Sequence, residues 1–421
     1  MFGKDQQEVL IAGAGPVGLF TALALKRNNV DAGIIDTGIW TTTHSYALGL
    51  QPQSLKLFEE FGLTDRVLNA CYPVRSIGLY DTEQQRARVE LNPPLAVLGQ
   101  ETLESLLEDT LEQEGVRVAW RHELSSLEAG PDSVRATVNK FEQESRGYAI
   151  AHTEWVVGRT FHLDVPFVIG ADGHNSRVRR ALGLPFAETG PPRYYAVFEF
   201  KTDADLGHEM RLVLGESTAD VLWPLPGNFC RWSFELADYA PPGAGRSKDR
   251  LLATEWGQFP ILEEEQLRWF IDHRAPWFKG SVESFSWRTV VRFERRLAPA
   301  FGAGRLWLAG DAAHLTGPAG MQSMNSGLFE GYDLAATIAR ILRGPGSLAD
   351  LENHNRRWQR TWRELQSLDA ALTPNARTDP WVAKHAPKLL PCLPGHGANI
   401  ASLAAQLGLA LTPVATSIAG S

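Results

Sequence analysis

Three stretches of this chain carry residue types whose order points to nucleotide chemistry. The first, Val9–Gly18, reads VLIAGAGPVG, with Gly13, Gly15 and Gly18 at G-x-G-x-x-G spacing directly after an apolar run. In such a turn the first glycine permits the tight bend and the second lets the backbone approach a pyrophosphate. The third lets the following helix pack closely on the strand. Pro16 falls just inside the helix start, where its missing N–H costs nothing. Val17–Arg27 then reads as a helix whose free N–H groups and positive dipole end face the phosphates. Ala32–Ile35 reads as a second strand ending at Asp36, about 20 residues beyond the glycines, where a carboxylate takes ribose hydroxyls. This stretch by itself does not separate FAD from NAD.

The second stretch is the apolar run Phe167–Ala171, followed by Asp172, Gly173, Asn175, Ser176, Val178, Arg179 and Arg180. A carboxylate there suits a ribose or diphosphate edge and suits a helix cap equally well. The third stretch starts at the apolar run Leu306–Ala309, with Asp311 after Gly310, and continues through Gly317, Pro318, Gly320, Asn325 and Gly327 into a helix.

The elements that must position these motifs follow from periodicity. The helix Glu101–Glu112 carries Leu103, Leu106, Leu107 and Leu111 on one face, with Gln100 at its start. Residues 44–62 read as a loop entering a helix, and residues 73–98, broken by Pro73, Pro93 and Pro94, as a crossing between domains. Residues 116–169 alternate as a β-meander, and Tyr194–Phe200, Met210–Trp223 and Phe229–Leu236 as three long strands of a second, antiparallel sheet. Residues 246–275 read as helical, as do Gly327–Leu342, Ser347–Leu368 and a closing segment near Ile400–Leu409. The expected fold is therefore α/β: a Rossmann-type dinucleotide-binding domain with a β-meander, an inserted, mainly antiparallel β-sheet for substrate, and C-terminal helices. Residues 1–75, 99–185 and 286–345 are assigned to the first unit, 76–98 and 186–285 to the second, and 346–421 to the C-terminal helices.

Composition narrows the partners. With 421 residues, 44% hydrophobic and 21% charged, the chain is an ordinary globular sequence. A net charge of −8 argues against nucleic acid or an anionic membrane surface as a partner. Neither a secretory leader nor a membrane-spanning run is evident, so a cytoplasmic location is the expectation. Cys71, Cys230 and Cys392 are too few and too scattered for a disulfide framework or a zinc site, and no metal is expected. Thirteen tryptophans suit core packing and suit the aromatic walls of a ligand pocket.

Taken together, the three motifs make residues 8–345 resemble the single-component (class A) FAD-dependent aromatic hydroxylases of the p-hydroxybenzoate hydroxylase type. GAGPVG with Asp36 matches that family's first fingerprint, ADGHNSRVR (Ala171–Arg179) its D-G motif, and GDAAHLTGPAGMQSMNSG (Gly310–Gly327) its G-D motif. The resemblance implies bound FAD, because a plain NAD dehydrogenase has no use for the third motif. Cofactor contacts would then come from Gly13, Gly15, Pro16, Val17 and Gly18 with Asp36, from Gln100, and from Asp172. The third motif would add Gly310 and Asp311, then the run Gly320, Met321, Gln322, Ser323, Met324 and Asn325. Where the family has G-G-Q-G this chain has Gly320-Met321-Gln322-Ser323, and where the family commonly has an arginine after Asp36 it has Tyr46, with His44 and Gln53 nearby. No additional thioredoxin-like domain is expected.

The activity so implied is NAD(P)H- and O2-dependent hydroxylation or epoxidation of an apolar aromatic small molecule through a flavin hydroperoxide, with secondary metabolism as a candidate setting. NADPH or NADH would visit transiently. Pro318 would stand nearest the reacting carbon, and Tyr46, Trp223 and Arg231 are the candidate substrate contacts; His314 is read as structural. The partners expected are the aromatic substrate and molecular oxygen, acting on a monomer or homodimer. A flavin-dependent reductase of isoprenoid-type double bonds and a non-catalytic FAD-binding protein are the alternatives. A flavin halogenase is disfavoured, since Trp223-Pro224-Leu225-Pro226 is not the W-x-W-x-I-P segment of that family.

Overall fold

A computed structural model describes residues 7–39, 49–146, 152–239, 251–254 and 257–414. The strands Val9–Ala12, Phe167–Gly170 and Leu306–Leu308 are apolar or glycine throughout and buried at every position. Strands of that kind belong inside a parallel sheet covered on both faces. They lie side by side, parallel and in register, at the centre of a six-stranded sheet. Ala32–Asp36 and Val118–Trp120 extend it in parallel on one side, and Gly302–Ala303 closes the other edge antiparallel. The three motifs, far apart in sequence, therefore open from adjacent strand ends on one edge.

The first helix, Pro16–Arg27, is buried from Pro16 to Leu25. It is sandwiched against the helices Gln100–Gln113 and Gln322–Arg343. Glycine makes this contact possible, since a Cβ at Gly331 would come within 2.1 Å of Thr21 Oγ1.

The second sheet has nine strands. Its order is His314–Leu315, Glu283–Leu297, Ala187–Lys201, Phe229–Leu236, Ala219–Leu225, Glu209–Leu214, Tyr72–Tyr80, Gln85–Val97 and Gly49–Leu50. Strand alternation gives it two apolar faces. One, with Phe198, Phe200, Trp232 and Phe234, packs under the helix Glu264–Arg274. The other, with Met210, Leu212, Val221 and Trp223, shares a core with Leu389, Leu390 and Cys392 near the C-terminus. The meander His122–Ala129, Val134–Arg146 and His152–Val165 forms a separate three-stranded sheet.

Several elements differ from the sequence expectation. Residues 73–98 are not an irregular connection; they form the hairpin Tyr72–Tyr80 and Gln85–Val97 within the large sheet. The prolines fit because the register skips: Val74 pairs with Leu95 and Ser76 with Glu90, so Leu91–Pro94 bulge opposite Arg75. Met210–Trp223 is two strands, turned where Gly215 N–H donates to Thr218 O at 3.0 Å. Residues 246–275 are not one helix. Leu251–Thr254 and Gly257–Pro260 form a ribbon, and the helix spans only Glu264–Arg274 behind a Glu263/Gln266 capping box. Gly257 and Pro260 are poor helix formers, and the propensity of their neighbours cannot offset them. The strands Gly49–Leu50, Glu283–Leu297 and His314–Leu315 join the nine-stranded sheet, although the expected division gave most of these residues to the dinucleotide unit.

Two buried polar groups tie the pieces together. Asn325, fully buried, accepts from Gln51 N–H and Ser54 Oγ at 2.7 Å through its Oδ1. Its Nδ2 donates to Gly49 O at 3.0 Å and Met321 O at 2.8 Å. Asn325→Ala leaves these partners unsatisfied and should cost about 2–4 kcal/mol, at roughly 1 kcal/mol or more per lost bond. Urea unfolding measures this, and a loss under about 1 kcal/mol would contradict it.

Asp220 accepts from Glu235 N–H at 2.7 Å and pairs with Arg274 at 3.0 Å, joining helix to sheet. Burial outweighs the Arg274 charge and raises the Asp220 carboxyl to about 7. A folded-state pKa above the unfolded value means the folded protein binds the extra proton. The associated stability is present below about pH 4 and is lost as pH rises toward about 7. Asp220→Asn should remove that decline, and Tm measured across this window tests it.

Candidate active site

At the carboxyl ends of the three central strands lies a cavity of about 660 Å³, within the size range of ligand and cofactor sites. Gly13, Gly15, Pro16 and Val17 line it from the first motif. Gly13 has φ +104°, and a Cβ there would lie 2.1 Å from Ala171 O, so the first and second motifs touch backbone to backbone. A Cβ at Gly15 would meet nothing within 4 Å, leaving the backbone open to an approaching phosphate. The helix Pro16–Arg27 starts at this wall with no acidic residue in its first turn and no side-chain cap, so its N–H groups remain for an anion. Asp36 accepts from Ala14 N–H and Gly38 N–H, each at 2.7 Å, which fixes its carboxylate at the rim.

The second motif places its carboxylate both at the cavity wall and at a helix start. Asp172 lines the cavity, and its Oδ2 accepts from Arg177 N–H at 2.7 Å at the start of the short helix Arg177–Ala181. Ser176 caps the same helix through Arg179 N–H at 3.0 Å. Burial raises the Asp172 carboxyl despite these hydrogen bonds.

In the third motif Asp311 points into the cavity and accepts from Ser323 Oγ. Protein packed around the carboxyl raises it even though the residue is exposed on the cavity wall, while Ser323 and His314 act against that rise. Gly310 holds φ +65° against the Val17 side chain, seating the turn on the first helix. Met321 caps the helix Gln322–Arg343 at φ +48°, a left-handed conformation that favours glycine. It stands where the resembled family places glycine, at a strain of about 1–2 kcal/mol, and its side chain is buried in the main core cluster.

Of the sequence-derived site residues, Gly13, Gly15, Pro16, Val17, Asp36, Gln100, Asp172 and Asp311 line the cavity. So do Pro318, Met321, Gln322, Ser323 and Met324. Gly18, Gly310, Gly320 and Asn325 do not. Gly18 packs on Gly13 O, Gly320 packs on Pro391 O, and Asn325 is the staple described above. Gln322 lies at the wall but donates to Leu390 O and Leu393 O at 3.3 and 3.1 Å, binding the C-terminal segment to the loop. Gln100 donates to Glu104 Oε1 at 2.6 Å.

The substrate candidates fare differently. Trp223 and Arg231 are not cavity walls. They are cross-strand partners on the large sheet, with Trp223 fully buried in the apolar core. Arg231 is held by Glu199 at 2.7 Å, with its guanidinium 5.2 Å from the Trp287 ring. Tyr46, like His44, lies outside the described residues. Two wall segments carry no motif at all: His122–Leu124 and Arg292–Glu294. Arg292–Glu294 arrive through pairing with the distant strand Ala187–Lys201 and His122–Leu124 at the start of the meander, and no local signal in the sequence marks either.

Fold and cavity together define a dinucleotide-binding α/β unit with a large accessory sheet. Residues 6–367 match the FAD binding domain family, and the chain belongs to that family. The site fits the cofactor: an open glycine turn at a helix N-terminus for the pyrophosphate, carboxylates at Asp36 and Asp311 for hydroxyls, and a cavity of sufficient size. The 6-methylpretetramide 4-monooxygenase of Streptomyces rimosus is 29% identical over 348 residues, covering 81% of this chain and 57% of that protein. The 3-(3-hydroxy-phenyl)propionate/3-hydroxycinnamic acid hydroxylase of Mycolicibacterium smegmatis is 28% identical, covering 83% and 57%. The chain thus spans somewhat more than half the length of these curated relatives. The p-nitrophenol 4-monooxygenase PnpA from Pseudomonas putida DLL-E4 shares the fold at a TM-score of 0.68 and 18% identity, over 96% of this chain and 93% of that one.

Proposed function

We propose that this chain is an FAD-dependent monooxygenase that uses NADH or NADPH and molecular oxygen to hydroxylate or epoxidise an apolar aromatic small molecule. The observation that carries the reading is convergence. Three motifs from separate parts of the chain line one cavity, and Pro318 stands on its wall together with Phe293 from the large sheet. The relatives named above are monooxygenases and hydroxylases, most of them named for phenolic compounds.

When bound, FAD supplies the reduction by NAD(P)H and the activation of oxygen. The chain's own residues bind, orient and exclude water. The glycine turn and the first helix hold the pyrophosphate end, while Asp36 and Asp311 accept from hydroxyls. Thr316–Pro318 line the cavity directly after His314–Leu315, the edge strand of the large sheet, and the substrate ring would sit beside them. Leu315, Met321 and Phe293 give the wall an apolar portion suited to an aromatic ring, with Arg292 and Glu294 flanking Phe293.

The test is direct. FAD-loaded protein is mixed with NADH or NADPH in air and offered a panel of simple and polycyclic phenols and quinolones. The expected result is reductant oxidation accelerated by at least one compound, with labelled oxygen from O2 recovered in the product. Turnover that never responds to any aromatic compound, with either reductant, would overturn the reading in favour of a reductase or a binding protein.

A further inference from the structure

Behind Asp311 the protein holds a chain of polar side chains that leads away from the cavity into the core. Ser323 Oγ donates to Asp311 Oδ1 and lies 3.4 Å from His314 Nδ1. His314 Nε2 sits 2.8 and 2.9 Å from the two carboxylate oxygens of Glu330. His314 and Glu330 are completely buried. Glu330 also accepts from Gly310 N–H at 2.8 Å and from Trp362 Nε1 at 2.6 Å, and the Trp362 ring stacks on His314 at 3.7 Å.

We propose that Glu330, His314 and Ser323 form a proton wire that ends on Asp311 and sets the charge of that carboxylate beside the cofactor. The inference rests on the FAD-dependent reading given above. Its logic is a count of donors. Glu330 is an acceptor on all three of its contacts, so His314 Nε2 carries a proton. Ser323 has one hydroxyl proton, and it lies toward Asp311. His314 Nδ1, 3.4 Å from Ser323 Oγ, donates to it in the arrangement where both ring nitrogens carry a proton.

A second arrangement uses the same atoms. The Nδ1–H bond breaks as a new O–H forms on Ser323, and the original Ser323 O–H breaks as an O–H forms on Asp311. The imidazolium becomes neutral imidazole and the carboxylate becomes a carboxylic acid, with no proton entering or leaving. The relay therefore lets Asp311, on the cavity wall, exchange a proton with the buried His314. In its charged form Asp311 accepts from a cofactor hydroxyl, and in its neutral form it can donate.

The surroundings are consistent with one shared proton. Asp333 and Arg357, paired at 2.9 Å, lie within electrostatic reach of Glu330. So do His354 and His396, both held below the ordinary histidine range by burial, His354 at about 4. On the cavity side, Arg179 donates to Ala312 O at 2.7 Å beside Asp311. Phe301 covers His314 from the remaining side, at 5.9 Å between ring centroids.

The test compares FAD affinity between about pH 5.5 and 9 for the wild type, Ser323→Ala, His314→Gln and the double variant. Ser323→Ala removes the hydrogen bond that favours the Asp311 carboxylate, so the pH midpoint of FAD affinity should rise by about one unit. His314→Gln should move it the same way, and the double variant no further than the larger single change, because both act through one chain. Affinity lost equally at every pH, or midpoint shifts that add, would overturn the wire. Nitrogen NMR of ring-labelled histidine gives a second readout that needs no FAD. A doubly protonated ring near pH 7 that disappears in His314→Gln supports the proposal; a neutral His314 ring throughout the range refutes it. Failure of the wild type to bind FAD would instead refute the cofactor reading, and the ring signal would still report on the wire.

Discussion

Gly13→Ala should give a folded but nearly colourless protein, with FAD affinity reduced by about 100-fold or more, a loss of about 2.7 kcal/mol. Two effects combine at this residue. Its φ of +104° is one that L side chains rarely adopt, and the added Cβ would lie 2.1 Å from Ala171 O and 2.4 Å from Ala171 C. Both obstacles are backbone, so no rotamer change relieves them; the turn itself must move. That movement displaces two cavity walls together, since Ala171 leads directly into Asp172. Gly15→Ala is the informative comparison. Its Cβ meets no protein atom within 4 Å and projects into open space, so it should weaken FAD binding while leaving Tm nearly unchanged. Flavin fluorescence titration with parallel thermal unfolding distinguishes the two. Retention of FAD by Gly13→Ala within threefold of wild type would contradict this account of the turn.

Glu330→Leu is expected to be the most damaging single change to stability away from the cavity wall. It removes the acceptor shared by Gly310 N–H, Trp362 Nε1 and His314 Nε2, and all three donors lie in the core. Breaking a buried pair by deleting one partner costs about 3–5 kcal/mol, because the remaining charge and donors are left without compensation. Glu330→Gln keeps the side chain's shape and one acceptor oxygen, and it should recover part of the loss. Chemical denaturation of the two variants gives the comparison, and a Leu variant within about 1 kcal/mol of wild type would show that Glu330 is not the hub described here.

The same residues show how far the sequence alone reached. Gly13, Gly15 and Gly18 were legible because their requirement is local: a bend, an approach and a close helix contact, all within one strand–turn–helix unit. Asp36, Asp172 and Asp311 were legible for the same reason, each following a buried strand at the point where a parallel sheet opens its crevice. The sequence by itself thus determined the dinucleotide fold and its three turns, and the family resemblance carried by those turns implied FAD. The tertiary structure alone decided which other surfaces meet them. Arg292–Glu294 reach the cavity from a strand paired with the distant Ala187–Lys201, and His122–Leu124 from a meander strand whose start is tied to the first unit by Arg121 N–H to Gly38 O at 2.8 Å. Trp223 and Arg231, plausible as substrate contacts by residue type, point into a packed row with Glu199 and Trp287 instead. His314 was read as structural from its place in the motif, but its placement between Glu330 and Ser323 depends on the helices Gln322–Arg343 and Leu348–Leu365 packing together. Backbone demands are written in neighbouring residues. Long-range strand pairing and helix packing are settled by the burial of many side chains at once, and no short stretch of sequence records that sum.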